Sequence, residues 1–358
     1  MGIIGEWSYS ERGTQQEEAS EKLKEIGQKI AQKCKGLPIA VTVMGSLLRW
    51  KDTEDEWQHV FDSKIWETEE VESYLFPHLY LSYDDLTPQM KRCFSYCAVF
   101  PKDYRIRVED LIRIWMAQGY LTTKNGRNDQ NQMELKGLDV FRNLAMRSFF
   151  QSLEKSRRDS DIIISCKMHD IVHDFAKFIS KNECYSISQH EDEVQLENHR
   201  HLSWQKIGKH LDPASICDVI GKLRSFFAEN LSPEQLTPNM FNALKSVRVL
   251  GLRACKMWKL PKDIGNLIHL RYIDLRWSQI RELPDSICSL DNLQTLDLKG
   301  CKCLSRLPEE IGNLCHLSVI DLSSSKIEEL PDSICSLDNL QTLDLEGYYL
   351  KGLEICLI

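Results

Sequence analysis

His169-Asp170-x-x-His173 is a cluster in this sequence with reactive spacing. Two histidines four residues apart on a helix share one face and could ligate zinc, with an acidic neighbour as general base. The acid here is Asp, where such sites carry Glu, and no third ligand is evident. A metal phosphohydrolase would need further ligands that are equally unidentifiable. Cys93 and Cys97 repeat the four-residue spacing, again without companion ligands, and are expected to be core thiols. No metal ligand and no catalytic residue is assigned, and the chain is not expected to be an enzyme. The phosphate cradle G-x-x-x-x-G-K-[ST] occurs nowhere in the 358 residues. Its backbone donors and phosphate-binding lysine are therefore missing, and no Walker-B strand with its acidic residue precedes the helices.

The last third is periodic. The frame L-x-x-L-x-L recurs at Val247, Leu270, Leu293, Leu317 and Leu340, with starts 23, 23, 24 and 23 residues apart. A weaker copy begins at Leu223. That spacing is the signature of leucine-rich repeats. Each unit supplies a short strand with one apolar face, which is buried only by stacking against neighbours. Cys255, Ser278, Cys301 and Ser325 follow the frames and are expected to turn inward and bond the bending backbone. Leu-Pro and a downstream Ile recur at Leu260-Pro261/Ile264, Leu283-Pro284/Ile287, Leu307-Pro308/Ile311 and Leu330-Pro331/Ile334. Residues 282–298 and 329–345 are identical, at an offset of two repeats. The outward strand positions form the expected partner-binding face: Tyr272, Asp274, Arg276, Trp277, Asp297, Lys299 and Asp321. One Asp per repeat (Asp274, Asp297, Asp321, Asp344) makes either an acidic docking stripe or a solvated consensus position. Arg276 and Trp277 are the better anchors, because Arg and aromatics dominate binding hot spots.

The first half reads as helices. One covers residues 20–34, stopped by Gly36. Pro38 opens a second to about Trp50, and Thr53-x-x-Glu56 is a capping box for a third. A fourth runs over roughly Val71–Tyr83. Thr87-Pro88 starts another, and Val108, Leu111, Ile112, Trp115 and Met116 line the next. A helix at about 134–147, a hairpin of 149–153 with 162–165, and a helix at about 170–180 complete a winged-helix pattern. Its third helix begins Glu109-Asp110 and carries only Arg113, so no nucleic-acid partner is expected. The net charge of −8 and pI near 5.8 argue the same way, since phosphate neutralisation needs a basic face. Thirteen cysteines without a secretory leader predict thiols rather than a disulfide framework. The longest apolar stretch, Leu37–Leu48, is too short to span a bilayer. A cytoplasmic chain, with a nuclear location open, is expected.

The fold class is therefore multidomain α+β: a helical bundle, a winged-helix domain, then an α/β leucine-rich-repeat solenoid. The expected boundaries are 1–19 unplaced, 20–84 bundle, 85–182 winged helix, 183–199 linker and 200–358 about five to six repeats. No polar capping repeat is seen, so the solenoid is expected to be cut short.

Several motifs add a resemblance. Gly36-Leu37-Pro38-Ile39-Ala40 resembles the GLPLA motif of the NB-ARC module in plant disease-resistance proteins. The runs Cys93–Asp103 and Leu111–Gly119 are similar to later motifs of that module, Met168-His169-Asp170 resembles its MHD motif, and the repeats resemble those of the same receptors. Trp115 fits the coiled-coil subclass. The resemblance covers roughly residues 20 to 358. It implies an innate-immune switch in plant defence, in which ADP holds NB-ARC closed against the repeats and exchange for ATP opens it. Carried over by position, Pro38 packs near the adenine, His169 bonds the β-phosphate and Asp170 supports that turn. Because the phosphate cradle is absent, ADP or ATP is expected to bind weakly or not at all, and the chain is expected to be an N-terminally truncated fragment. The implied partner is a protein, either a pathogen effector or a host protein, met through the repeats; a parent-type receptor is another. The alternative is a non-switching adaptor, decoy or pseudogene product that uses only the repeats.

Overall fold

The computed structural model describes residues 15–67, 76–122, 130–157, 159–181, 183–187, 199–205, 220–232 and 237–346. The chain forms two compact units. The first contains Met1–Cys97, Lys102–Glu109 and Thr123–Ile179, and the second Ala98–Pro101, Asp110–Thr122 and Ser180–Ile358.

The first unit opens with α1 (Gln15–Lys33), α2 (Pro38–Leu48) and α3 (Glu54–Phe61). Lys35 and Gly36 take positive φ and end α1, and Pro38 then starts α2 at a position that needs no amide hydrogen. The capping box before α3 forms as expected: Glu56 N donates to Thr53 Oγ1 at 3.3 Å, and Thr53 N donates to Glu56 Oε2 at 3.2 Å. Ile26, Ile30, Cys34, Met44, Leu47, Trp57 and Val60 make the bundle core. The next helix, α4 (Pro77–Asp84), begins at its proline rather than running through it. Proline lacks a donor and clashes with a preceding turn, and residues 68–75 lie outside those described. Thr87 caps α5 (Pro88–Tyr96).

There follow β1 (Ile106–Arg107), α6 (Val108–Gln118), α7 (Gln130–Met146), β2 (Gln151–Lys155), β3 (Ile163–Lys167) and α8 (Asp170–Ile179). The strands form an antiparallel sheet in the order β1-β3-β2, so the hairpin expected from sequence is present. Phe94 packs 4.4 Å from Phe149 between ring centroids, and Tyr83 meets Phe175 edge-on.

The second unit is an eight-stranded parallel sheet in chain order: β4 (Cys184–Ile187), β5 (His201–Gln205), β6 (Ser225–Glu229), β7 (Val249–Arg253), β8 (Tyr272–Asp274), β9 (Thr295–Asp297), β10 (Val319–Asp321) and β11 (Thr342–Asp344). One short helix, α9 (Pro238–Ala243), lies between β6 and β7. The solenoid starts earlier than the sequence frame suggests. Cys184–Ile187, placed above in a linker, pairs with His201–Trp204. This strand has no L-x-x-L-x-L frame, yet Cys184, Ser186 and Ile187 are buried.

Leu202, Phe226, Leu250, Ile273, Leu296, Ile320 and Leu343 align as one apolar ladder across the sheet. The turns beyond the strands are tied by inter-repeat backbone bonds such as Trp277 N to Lys299 O at 2.9 Å and Gly300 N to Ser323 O at 2.8 Å. Pro261, Pro284 and Pro331 precede short 3-10 turns. The inward small residues bond backbone as expected: Ser278 Oγ donates to Leu275 O at 2.5 Å and Cys301 Sγ to the same oxygen at 3.1 Å. Cys255 is buried, and its Sγ donates to Arg253 O at 3.6 Å.

Candidate functional site

The residues tied to nucleotide by resemblance stand at helix starts in the first unit. Pro38 is exposed at the first position of α2. His169 precedes α8, and its Nδ1 accepts from Ile171 N at 3.3 Å, while His169 O accepts from His173 N. An imidazole accepting there satisfies one of the helix's orphan amides, so this atom is held as an acceptor. Asp170 is exposed and lies in the first turn, where a carboxylate complements the helix dipole. His173 is buried, so the two histidines do not present one open face. Among the described residues no group of three His, Cys, Asp or Glu is placed to hold a metal. Cys93 and Cys97 are buried thiols, and Cys97 Sγ donates to Cys93 O at 3.4 Å.

The repeat face differs from expectation. Tyr272, Asp274, Arg276, Asp297 and Asp321 are buried, not exposed; Lys299 is half-buried, and only Trp277, at 54%, is well exposed. Two causes act. First, the Asp ladder closes turns. Asp274 Oδ1 accepts from Arg276 N, Asp297 Oδ1 from Lys299 N, Asp321 Oδ1 from Ser323 N and Asp344 Oδ1 from Glu346 N, at 2.9–3.1 Å. Each is a carboxylate bonding the backbone two residues on, the geometry of an Asx turn. The recurring acid is explained by the end of the strand it closes.

Second, α6 lies over the strands within the second unit. Its Asp110 meets Arg276 NH2 at 2.6 Å. At its other end Gln118 Nε2 donates to Ser225 Oγ at 2.9 Å, and Arg248 NH1 donates to Gln118 O at 2.7 Å. Tyr120 Oη lies 3.2 Å from His201 Nε2, and His201 Nδ1 lies 3.0 Å from Ser225 Oγ. Phe100 meets Phe227 at a tilt, 5.8 Å between ring centroids, and the Phe227 ring lies over Gly251; a Cβ there would approach Phe227 Cδ1 to 2.6 Å. Eight residues of helix rise about 12 Å, which matches two to three strand spacings of about 4.8 Å each. The helix is therefore long enough to reach from β6 to β8. The polarity also matches: an acid in its first turn faces Arg276, and its last carbonyl faces Arg248.

The buried charge centres on Arg276, only 2% exposed. Its Nε donates to Asp274 Oδ1 at 2.9 Å and lies 3.2 Å from Asp297 Oδ2; NH2 reaches Asp274 Oδ2 at 2.5 Å. Arg253 Nε adds a contact to Asp274 Oδ2 at 3.1 Å. Burial disfavours the guanidinium, but Asp274 and Asp110 outweigh it and hold its pKa above the usual value. Asp274 keeps its charge because Arg276 overcomes its burial. Asp297 is the surplus acid. Burial, with Asp274, Asp110 and Asp321 adding to it against Arg276, pushes it up to about 8. At the other end, burial, assisted by Arg224, Arg200 and Arg248, pushes His201 down to about 3. A buried charge network is costly to form and costlier to break on one side, about 3–5 kcal/mol.

Trp277 has an unusual backbone. One residue per repeat ends its strand in the left-handed region: Asn230, Ala254, Trp277, Gly300 and Ser324, with φ from 52° to 70°. The indole fits because the next such position is glycine; a Cβ on Gly300 would sit 2.4 Å from Trp277 Cδ1. Residues missed by sequence reasoning include Asp110, Gln118, Tyr120, His201, Arg248, Trp258 and Arg281. A signal for α6 was present. Ile114 and Ala117 fall off its apolar stripe and are buried all the same, so the covered surface of the helix is wider than one face.

Residues 99–176 match the family described as disease resistance protein winged helix domain, and residues 222–309 match the leucine-rich repeat region family. The chain is 37% identical over 259 residues to the putative disease resistance protein RGA1 of Solanum bulbocastanum, covering 72% of this chain and 23% of that protein. It is 33% identical over 276 residues to the putative disease resistance RPP13-like protein 1 of Arabidopsis thaliana, covering 73% of this chain and 25% of that protein. The chain thus spans about a quarter of the length of these relatives. Among solved structures, a leucine-rich-repeat protein of Leptospira interrogans matches at 24% identity and a TM-score of 0.37, over 44% of this chain and 45% of that one. With a winged-helix domain and a leucine-rich-repeat region matched in order, and relatives of this kind along most of its length, the chain belongs to the plant disease-resistance proteins.

Proposed function

We propose that this chain is the restraint and recognition part of an intracellular plant immune receptor under nucleotide control. The repeats recognise a protein partner, and α6 holds the strands in a closed arrangement until that partner or a change in bound nucleotide releases it. The observation that carries the reading is the contact of Asp110 on α6 with the buried Arg276 of the repeats. Made, it satisfies a buried charge; broken, it leaves Arg276 with Asp274 and Asp297 of its own sheet. The partners fit the relatives' role in disease resistance.

The nucleotide side rests on Pro38, His169 and Asp170. Two or three contacts without a phosphate cradle support weak ADP binding at most, and titration of the chain with ADP should give no saturation at micromolar concentration. The restraint is tested by Asp110→Ala in the full chain, read by amide hydrogen exchange. We expect the amides of residues 112–120 to exchange at least tenfold faster, since losing a charge-assisted buried contact costs about 1.5–3 kcal/mol. Unchanged protection would remove Asp110 as the restraint.

A further inference from the structure

We propose that the loop edge carrying Trp277 and Trp258 docks an acidic segment of a partner protein. The proposal rests on the reading of the repeats as a recognition surface and adds the place and the chemistry of the partner.

Trp277 is the first observation. The left-handed position it fills is closed to bulky side chains except at a cost. The other repeats fill it with Asn230, Ala254, Gly300 and Ser324. The fold therefore has no need of an indole there, and more than half of it faces solvent. The ring is nonetheless fixed. It lies over Gly300, and the guanidinium carbons of Arg253 and Arg276 stand 5.5 and 5.8 Å from its centroid. Arg276 is itself immobilised by its carboxylates. A rigid, exposed aromatic loses little entropy when it is covered, which suits it to anchor a partner.

Trp258 is the second. It is 63% exposed on the loop of the preceding repeat, with Arg281 5.1 Å from its ring centroid. Arg281 N donates to Trp258 O at 2.9 Å, and Lys259 and Glu282 form a parallel bridge and an ion pair. The two loops are thus joined backbone to backbone and present their aromatics as one pre-built ledge.

Charge supplies the third. Lys256, Lys259 and Arg281 are exposed on these two loops, where Glu282 is the acid; Lys302 and Arg306 are exposed on the following loop ahead of Glu309 and Glu310, and Lys299 is half-exposed. Glu282 is engaged by Lys259. The next loop turns acidic, with exposed Glu328 and Glu329, and bounds the patch. A basic ledge on a chain of net charge −8 complements a local acidic segment. A long polyanion such as duplex DNA would also meet the surrounding negative field.

The test is selection of a random displayed peptide library on the full chain, followed by affinity measurement of the recovered peptides in solution. We expect recovered peptides rich in Asp and Glu beside an aromatic or leucine, binding that weakens as salt rises, and at least tenfold loss in Trp277→Asn. Asn occupies the equivalent turn at position 230, so this variant should fold, with an unchanged or higher melting temperature as the check. Arg281→Glu should weaken the same peptides by a similar factor without touching the turn. Peptides that bind Trp277→Asn as tightly as the parent would overturn the ledge while leaving the repeats as the recognition surface. A short DNA duplex that outcompetes the peptides with the same dependence on Trp277 would overturn the acidic protein partner. A library yielding no binder would remove both the ledge and the recognition reading beneath it.

Discussion

Residues 282–298 and 329–345 are the same seventeen letters in two places. Their local structures agree. Pro284 and Pro331 have φ of −71° and −66°, both precede a 3-10 turn, and both strands end in the same Asx turn. Their surroundings do not agree. β9 lies between β8 and β10, whereas β11 pairs with β10 and ends the described sheet. Cys288, Ile287, Leu296 and Asp297 are buried; Cys335 is exposed, and Ile334, Leu343 and Asp344 are half-buried. The charge setting differs as well. One repeat before Asp297 stands Arg276, while the matching position before Asp344 is Ser323, whose Oγ donates to its own Asp321. Sequence therefore decides the turn and the strand, and stacking decides burial, reactivity and protonation.

Three experiments probe this built-in control. The largest difference is expected in thiol labelling. Burial pushes Cys288 up to about 11, so at mildly alkaline pH its thiolate is scarce as well as covered. Since the thiolate is the reacting species, Cys335 should label at least about a hundredfold faster. Mass spectrometry resolves the two peptides by their flanking residues, and equal rates would mean that the stacked repeats open freely. Core truncation comes next. Leu296→Ala should cost about 3 kcal/mol and Leu343→Ala about 1 kcal/mol in denaturant unfolding, because only the first leaves an enclosed cavity. Similar costs would show β11 to be as well packed as β9.

The smallest effect is in pH dependence. Asp297 has its folded pKa raised to about 8 from an unfolded value near 4. Its contribution is thus fully present below about pH 4 and is lost as pH rises through 8. Asp297→Asn should flatten that decline, so the variant gains on the parent steadily between pH 5 and pH 8. Asp344→Asn controls for the altered Asx turn. His201 works in the opposite sense. With its pKa lowered to about 3, its contribution is present above about 6.5 and is lost as pH falls toward 3. A parent whose stability rises from pH 5 to pH 8, unchanged by Asp297→Asn, would refute the surplus-acid account.

Much of the fold was legible. Period, turn residues and caps mark α2, α3, α5, the hairpin and every repeat from Leu223 on, because each of these is fixed by local chemistry. What escaped depends on tertiary contact. β4 has no leucine frame and is a strand because β5 lies beside it. The outward-facing Asp and Arg positions read as solvent-exposed because periodicity tells which way a side chain points and says nothing of what lies over it. Trp277 could have been ranked above its neighbours from sequence alone by aligning the repeats. Its column otherwise holds Asn, Ala, Gly and Ser, which are residues suited to a left-handed turn.

The ladder of backbone bonds between repeats also bears on how such a gene changes. Every unit is joined to the next by main-chain groups at the same phase, such as Arg271 N to Arg248 O, Gln294 N to Arg271 O and Gln341 N to Ser318 O, all at 2.8–2.9 Å. An unequal exchange that adds or deletes whole repeats therefore preserves each junction, whatever the side chains do. An insertion of one residue in a strand would turn its apolar face outward. The identical segments 282–298 and 329–345, set two repeats apart, are what this joinery permits, so length and surface can drift independently across generations.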